Sequence, residues 1–183
     1  FLGFIFYEKS HRNVLQEEVC GLTKHVQRAK TVGVFVDAPL DEVNAAADFC
    51  SLDFVQLHGH ESAAYARAVC CPVIKAFRWG DDFSAEEAND YPAEIILLDS
   101  FSKDAVGGTG QCFRWREAAE ETVRLEKPLL VAGGIASGNV REAEEVFRPY
   151  GVDVSGSLEI EKRKSIEKIR EFMAVVQKRR VPE

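Results

Sequence analysis

The sequence lacks the features of several classes of protein. No apolar run approaches the roughly 20 residues that span a bilayer, and the apolar start at residues 1–6 is too short for a signal peptide and has no basic flank. Basic residues are not in excess, since 23 Lys and Arg stand against 30 Asp and Glu and the net charge is −7. We therefore expect neither nucleic acid nor a membrane as a partner.

Paired cysteines are also absent from the sequence. The five cysteines are odd in number and form no CxxC pair; they are Cys20, Cys50, Cys70, Cys71 and Cys112. This pattern argues against a disulfide framework and against a zinc site. We expect buried free thiols in a reducing cytoplasm, and no bound metal.

The composition that is present suits one domain. The chain has 183 residues, 46% of them hydrophobic, which is enough for one sizeable core but not for two. No linker, low-complexity stretch or change in composition divides it, so we expect a single domain over residues 1–183. The first residue is Phe1 rather than Met, which predicts that the sequence begins inside a longer gene product.

Short runs rich in Val, Ile, Leu and Phe alternate with longer segments of helical period. This alternation predicts parallel strands covered by helices, because a strand that is apolar on both faces must be covered on both. The predicted strands are residues 1–6, 31–36, 54–58, 72–77, 95–99, 128–132 and 152–155. The predicted helices are residues 14–26, 61–69, 84–90, 115–125 and 139–147, one that follows Pro39 and one that starts near Ser165.

Two of these helices have clear apolar faces. The helix after Pro39 carries one stripe of Leu40, Val43, Ala46, Ala47 and Cys50. The last helix has Ser165 as a good N-cap, and its inward residues are expected to be Ile166, Ile169, Phe172 (or Met173) and Val176.

Seven strand–helix units are compatible with two architectures. One is a doubly wound open sheet, and the other is a (β/α)8 TIM barrel that is one unit short. The periodicity of the sequence does not distinguish them. In both, ligands bind beyond the carboxyl ends of the strands, so the residues at those ends are the candidates for function.

Two Gly- and Ser-rich turns follow the sixth and seventh predicted strands. We call Gly133 and Gly134 the glycine turn, and Ser155, Gly156 and Ser157 the serine turn. Glycines let a ligand approach the backbone closely, and successive N–H groups at such a turn can cradle an anion. A lone Gly-Gly pair is more often a simple tight turn, but a second such turn on the adjacent strand favours a phosphate site.

Three further side chains lie at strand ends. Asp99 ends an apolar strand, where it either caps the next segment or acts as a general acid. Arg12 is either a solvated loop residue or a fork matched to a substrate carboxylate. His58 either satisfies a backbone carbonyl or shapes the ligand site.

The order of the motifs resembles that of phosphoribosylanthranilate isomerase. The matching segments are residues 3–7 with 9–12, residues 32–36, residues 55–59, residues 97–99 with 107–110, residues 132–135 with 139–140, and residues 151–155 with 158–159. The resemblance covers essentially the whole chain at the right spacings. It implies a barrel that is incomplete at its N-terminus, with the first βα unit of the family absent.

The resemblance also implies a reaction, the Amadori rearrangement of an aminoaldose, N-(5-phosphoribosyl)anthranilate, to an aminoketose in tryptophan biosynthesis. Asp99 matches the general acid that opens the ribose ring, and Arg12 matches the residue expected to hold the anthranilate carboxylate. The two turns match the phosphate turns, and we assign His58, Gly108 and Asp153 to the substrate site. No cofactor is implied, and we expect a cytoplasmic monomer or homodimer.

The sequence departs from the family at three places. The family's general base, a Cys in a Lys-Ile-Cys-Gly motif on the first barrel strand, has no counterpart here. The serine turn reads Ser-Gly-Ser where many members have Ser-Ser-Gly, and residues 161–165 replace a Pro-Gly-x-Lys-Asp run in what we expect to be a surface loop. The alternative is therefore a non-catalytic, phosphate-binding remnant, unless Cys112, expected in the loop after Gly110, replaces the base.

Overall fold

The computed structural model describes residues 1–80, 82–99 and 110–178, with the side chains of residues 110–114 left out. Its strands are β1 (Leu2–Ile5), β2 (Thr31–Phe35), β3 (Phe54–Leu57), β4 (Val73–Arg78), β5 (Ile95–Asp99), β6 (Leu129–Ala132), β7 (Gly151–Val152), β8 (Glu159–Ile160) and β9 (Arg163–Lys164). Its helices are α1 (Gln16–Thr23), α2 (Leu40–Phe49), α3 (Ala63–Arg67), α4 (Ala85–Asp90), α5 (Gly110–Thr122), α6 (Val140–Phe147) and α7 (Ile166–Gln177), with a 3₁₀ turn at Gly156–Leu158.

The sheet runs in the order of the sequence. Strands β1 to β7 are neighbours in the order in which they occur along the chain, and β1–β2, β2–β3, β3–β4 and β6–β7 pair in parallel. A doubly wound sheet reverses its strand order at a switch point, as in the order 3-2-1-4-5-6. The observed order has no such point, so the protein is a singly wound α/β fold rather than the doubly wound alternative.

The chain divides into two compact units. The first unit contains Phe1–Phe77 and Asn89–Ile96, and the second contains Arg78–Ala88 and Leu97–Glu183. In the first unit the stripe predicted for α2 is confirmed for Val43, Ala46, Ala47 and Cys50, which are all buried, whereas Leu40 at the start of the helix is only half-buried.

The second unit has its core between β6 and its helices. All four residues of β6 are buried, as are Val140, Ala143 and Phe147 on α6. Helix α7 begins after Ser165, whose hydroxyl accepts a hydrogen bond from the Lys168 N–H, so the predicted N-cap is confirmed. It buries Phe172, but Ile166 is 66% exposed. The expectation that Ile166 points inward is wrong, because at about 100° per residue it lies about 120° around the helix from Phe172.

Several predicted boundaries also need correction. The seventh strand is limited to Gly151–Val152, and α1 is shorter than the predicted segment of residues 14–26. Helix α5 begins at Gly110 rather than near Trp115, so Cys112 lies on a helix and not in a loop. Residues 159–164 form an antiparallel hairpin of β8 and β9, which the sequence patterns did not predict.

Candidate functional site

The glycine turn follows β6 in a conformation that requires glycine. Gly133 has a φ of 93° and Gly134 a φ of 72°, a region that residues with a Cβ rarely adopt. The side chain of Asn139 closes the turn from both ends. Its Oδ1 accepts a hydrogen bond from the Ala136 N–H at 2.8 Å, and its Nδ2 donates to the Gly134 carbonyl at 3.0 Å.

The serine turn follows β7 and opens the 3₁₀ turn Gly156–Leu158. The Ser157 hydroxyl donates to the carbonyl of Ile135, the residue after the glycine turn, at 2.6 Å. This bond joins the two turns within the second unit. The two turns therefore lie side by side at the carboxyl ends of the adjacent strands β6 and β7.

Lys164 braces the serine turn from the β8–β9 hairpin. Its Nζ donates to the Ser155 carbonyl at 2.9 Å and to Ser155 Oγ at 3.0 Å. It also forms an ion pair with Glu159, whose Oε1 lies 2.7 Å away. The expectation that residues 161–165 are mere variation in a surface loop is therefore wrong for Lys164.

The two acidic candidates also belong to the second unit. Asp99 is the last residue of β5 and half-buried, and its carbonyl accepts a hydrogen bond from the Trp79 N–H at 2.9 Å. Asp153 directly follows β7 and is exposed, with its N–H donating to the Val131 carbonyl at 2.8 Å. Asp99, Asp153 and the two turns thus all lie at or directly after the carboxyl ends of strands in this unit.

Arg12 and His58 belong to the first unit. Arg12 is half-buried in the loop after β1, where its N–H donates to Ser10 Oγ at 3.1 Å. His58 follows β3, and its Nδ1 lies 3.0 Å from Gln56 Nε2. This contact joins the side chains of Gln56 and His58.

A buried ion pair beside His58 was not found from the sequence. Lys75 Nζ lies 2.8 Å from Glu61 Oε2, and the two side chains are 6% and 2% exposed. Lys75 also donates to the Gly59 carbonyl at 2.7 Å. The Glu61 carboxylate accepts the N–H groups of Gly59 and Asp37, so it connects the segments after β2 and β3. The signal for this pair is a lysine in the middle of an apolar strand.

Gly59 sits in this network because nothing larger fits. A Cβ there would lie 2.3 Å from Asp37 Oδ1, far inside van der Waals contact. The Asp37 carboxylate accepts the His60 N–H and lies 3.0 Å from His60 Nδ1. These hydrogen bonds lower the pKa of Asp37 below its usual value, and the bond from the His60 N–H has the largest effect.

Two tyrosines complete the network. Tyr91 Oη donates to the Glu61 carbonyl at 2.9 Å, and Tyr65 Oη donates to the Ala38 carbonyl at 2.8 Å. Burial, helped by the charge of Glu61, raises the pKa of each tyrosine to about 12. Both phenols therefore stay protonated at neutral pH and serve as hydrogen-bond donors.

The described cysteines differ in their exposure. Cys50 is buried as expected, and Cys20 and Cys71 are partly exposed, but Cys70 is exposed, which corrects the expectation of burial for that residue. Burial raises the pKa of Cys71 to about 11, so it is a poor nucleophile. Gly108 and the side chain of Cys112 lie outside the described residues.

Metal-binding clusters and membrane-spanning helices are both absent from the described residues. Among residues 1–80, 82–99 and 110–178, no cluster of three or more His, Cys, Asp or Glu side chains could hold a metal ion. In the same set of residues, every helix is too short or too polar to cross a membrane.

A parallel α/β sheet with Gly- and Ser-rich turns at the carboxyl ends of adjacent strands defines the class of α/β proteins whose candidate sites lie at those strand ends. Residues 1–175 match the family model described as N-(5'-phosphoribosyl)anthranilate (PRA) isomerase. The curated N-(5'-phosphoribosyl)anthranilate isomerase of Geobacter sulfurreducens is 43% identical over 174 residues, which cover 94% of this chain and 85% of that protein. The chain belongs to the PRA isomerase family.

Solved structures of the family have the same fold. The crystal structure of phosphoribosyl anthranilate isomerase from Thermus thermophilus matches with a TM-score of 0.83 and 32% identity, over 98% of this chain and 88% of that chain. Two other structures match with a TM-score of 0.82 and 30% identity, and each match covers 96% of this chain and 86% of the other chain. One is described as monomers of the dimeric enzyme from Thermotoga maritima, and the other as a complex with reduced 1-(o-carboxyphenylamino)-1-deoxyribulose 5-phosphate.

Proposed function

We propose that this chain carries the acid and substrate-binding residues for the isomerisation of N-(5-phosphoribosyl)anthranilate to 1-(2-carboxyphenylamino)-1-deoxyribulose 5-phosphate in tryptophan biosynthesis, and that turnover by the 183 residues alone is impaired because none of them matches the Lys-Ile-Cys-Gly motif of the base. The observation that carries the proposal is the bond from Ser157 to Ile135, which joins the glycine and serine turns in a member of this family. The two turns hold the substrate phosphate through their backbone N–H groups. Arg12 pairs with the anthranilate carboxylate, and His58, Gly108 and Asp153 contact the rest of the substrate.

Asp99 has the role of general acid in this proposal. It protonates the ring oxygen of the ribose, the C1′–O bond breaks, and the nitrogen lone pair forms a Schiff base with C1′. A base then removes the C2′ proton, and the resulting enol amine rearranges to the ketone. Asp99 suits the first step because it ends β5 in the unit that also carries both turns. The reaction moves protons to and from the substrate without a net change in its composition, and its steps involve no metal or cofactor.

The complete fold in this proposal is a (β/α)8 barrel. Residues 1–183 form one domain that contributes the seven parallel strands from β1 to β7. In the family's barrel the remaining unit is the first βα unit, which carries the Cys that removes the C2′ proton. A homodimer is one possible assembly, since the Thermotoga maritima relative is described as dimeric, and a monomer is the other. A cytoplasmic location stays a prediction from the sequence.

A second candidate function is phosphate binding without catalysis. It is favoured by one observation, namely that no residue of the sequence matches the Lys-Ile-Cys-Gly motif of the base. A general base is typically worth about 10²–10⁴-fold in rate. Under this alternative the turns bind phosphoribosyl compounds, but adding a family-type first βα unit does not produce turnover.

Substitution of Asp99 tests the proposal. In a chain carrying a family-type first βα unit ahead of Phe1, Asp99→Asn is expected to abolish turnover, because an amide keeps the size of the side chain but cannot deliver the proton. Binding of reduced 1-(o-carboxyphenylamino)-1-deoxyribulose 5-phosphate is expected to remain nearly intact. The matched control is Asp48→Asn on the exposed face of α2, which should leave turnover unchanged.

Residual activity decides the outcome. If Asp99→Asn kept more than about a tenth of the turnover, a general acid effect of the usual size could not be assigned to Asp99. If the extended chain with Asp99 intact bound the analogue but had no turnover, the second candidate function would be favoured.

A further inference from the structure

We propose that Lys164 is a positioning residue that prepares Ser155 and Gly156 to donate hydrogen bonds to the substrate phosphate, while Ser157 serves the fold. The inference rests on the phosphate site of the proposed function and assigns unequal roles within the serine turn. It starts from the three hydrogen bonds that Lys164 donates, to the Ser155 carbonyl, to Ser155 Oγ and to Glu159.

The direction of the bond to Ser155 Oγ fixes the hydroxyl proton. An ammonium group has three donors and no acceptor, so Ser155 Oγ must be the acceptor at 3.0 Å. The hydroxyl proton of Ser155 then points away from Lys164 and remains available to another acceptor. A phosphate oxygen in the serine turn is such an acceptor.

The bond to the Ser155 carbonyl fixes the next peptide group. This oxygen accepts from Lys164 Nζ at 2.9 Å and from the Leu158 N–H at 3.1 Å. In a trans peptide the C=O and the following N–H point in opposite directions, and the described residues contain no cis peptide bond. The Gly156 N–H is therefore directed away from Lys164.

Ser157 behaves differently although it is only two residues away. Its hydroxyl donates to the Ile135 carbonyl at 2.6 Å, and a carbonyl can only accept. Its proton is therefore used within the protein and cannot serve the ligand. The Ser-Gly-Ser order thus separates a ligand donor at Ser155 from a structural bond at Ser157.

The hairpin holds Lys164 in position. Lys164 is paired in register with Glu159 across β8 and β9, and the Ser165 N–H donates to the Leu158 carbonyl at 2.9 Å. The Glu159 side chain is 8% exposed, whereas that of Lys164 is 48% exposed. Glu159 neutralises Lys164, so the ammonium acts chiefly through the hydrogen bonds that it donates rather than as a bare charge on the phosphate.

Binding of inorganic phosphate and of ribose 5-phosphate to the 183-residue chain tests the inference. Titration calorimetry should show that Lys164→Met and Ser155→Ala each weaken both ligands by about tenfold or more, the usual size of a lost hydrogen bond to a charged group. The matched control is Lys162→Met, an exposed position in the turn of the same hairpin, which should bind as the unsubstituted chain does. Thermal unfolding of each variant verifies that it is folded.

Two double variants separate positioning from charge. Lys164→Met with Ser155→Ala should lose less affinity than the two single losses added together, because both changes act on the same hydroxyl, while the effect of Lys164 on the Gly156 N–H remains. Lys164→Met with Glu159→Gln should remain weak, because removing the uncompensated carboxylate does not restore the hydrogen bonds. Fully additive losses in the first pair, or full recovery in the second, would show that Lys164 acts as a charge and would overturn the inference.

The test also separates this inference from the proposed function. Phosphate binding that is unaffected by Lys164→Met would refute the role of Lys164 and leave the phosphate site standing. If the unsubstituted chain bound neither ligand, the phosphate site would fail and the role of Lys164 with it.

Discussion

At the scale of single residues, the function of a side chain depends on partners that are distant in the sequence. The position of Asp99 at the end of β5 and the two turns after β6 and β7 were predicted from local patterns. The separate roles of Ser155 and Ser157 were not, because they are set by Lys164 and Ile135, nine and 22 residues away. A motif locates a site, but the donors in it follow from tertiary contacts.

The glycine turn allows a prediction at this scale. Gly134→Val is expected to weaken the binding of inorganic phosphate strongly, because a β-branched side chain at a φ of 72° shifts the backbone N–H groups and occupies the space of the ligand. Calorimetric titration with phosphate measures the loss. Gly138→Val, in the same loop with nothing within 4 Å of its added Cβ, is the control. Equal affinities of the two variants would contradict the phosphate site.

At the scale of secondary structure, elements with a strong local signal were predicted and those without one were not. Helix α2 has a clear apolar stripe and begins after Pro39, as expected. The β8–β9 hairpin was missed because its turn residues, Glu161 and Lys162, adopt φ values of 49° and 64° without the Asn-Gly or Asp-Gly signature of such turns. The helical period of α7 was predicted correctly, but Ile166 was wrongly included among its buried residues.

Strand β4 illustrates a partly readable element. Lys75 in an apolar strand indicates a buried charge that needs a partner, because an unpaired charge is very costly to bury. The sequence does not name the partner, Glu61, which lies 14 residues earlier and outside any regular element. Both members of the pair form hydrogen bonds with Gly59, the residue after His58, so the pair belongs to the scaffold of the candidate site.

Breaking this pair should be much more costly than breaking an exposed one. Lys75→Met leaves the Glu61 carboxylate buried without its cation and is expected to lower the free energy of unfolding by about 3–5 kcal/mol. Lys30→Met removes the partner of Asp53 where the lysine side chain is 63% exposed, and should cost less than about 1 kcal/mol. Urea denaturation measures both, and similar small losses would show that the buried pair is not a main support of the first unit.

At the scale of the whole molecule, the sequential strand order selected between two architectures that the periodicity of the sequence left open. Seven alternating units were predicted from the sequence, but their order in the sheet is a tertiary property. The motif series indicated the PRA isomerase family, and the match over residues 1–175 confirms it. No residue of the sequence matches the Lys-Ile-Cys-Gly motif of the family's general base, so whether the 183 residues turn over the substrate is a question for experiment.

Growth of an isomerase-deficient bacterium on tryptophan-free medium tests the central claim most directly. The 183-residue chain, the chain extended by a family-type first βα unit, and the extended chain with Asp99→Asn are compared at matched soluble levels. We predict growth with the extended chain and no growth with the other two, because turnover needs both the acid and the base. Failure of the extended chain would contradict the proposed function, and growth with the 183 residues alone would contradict the placement of the base outside them.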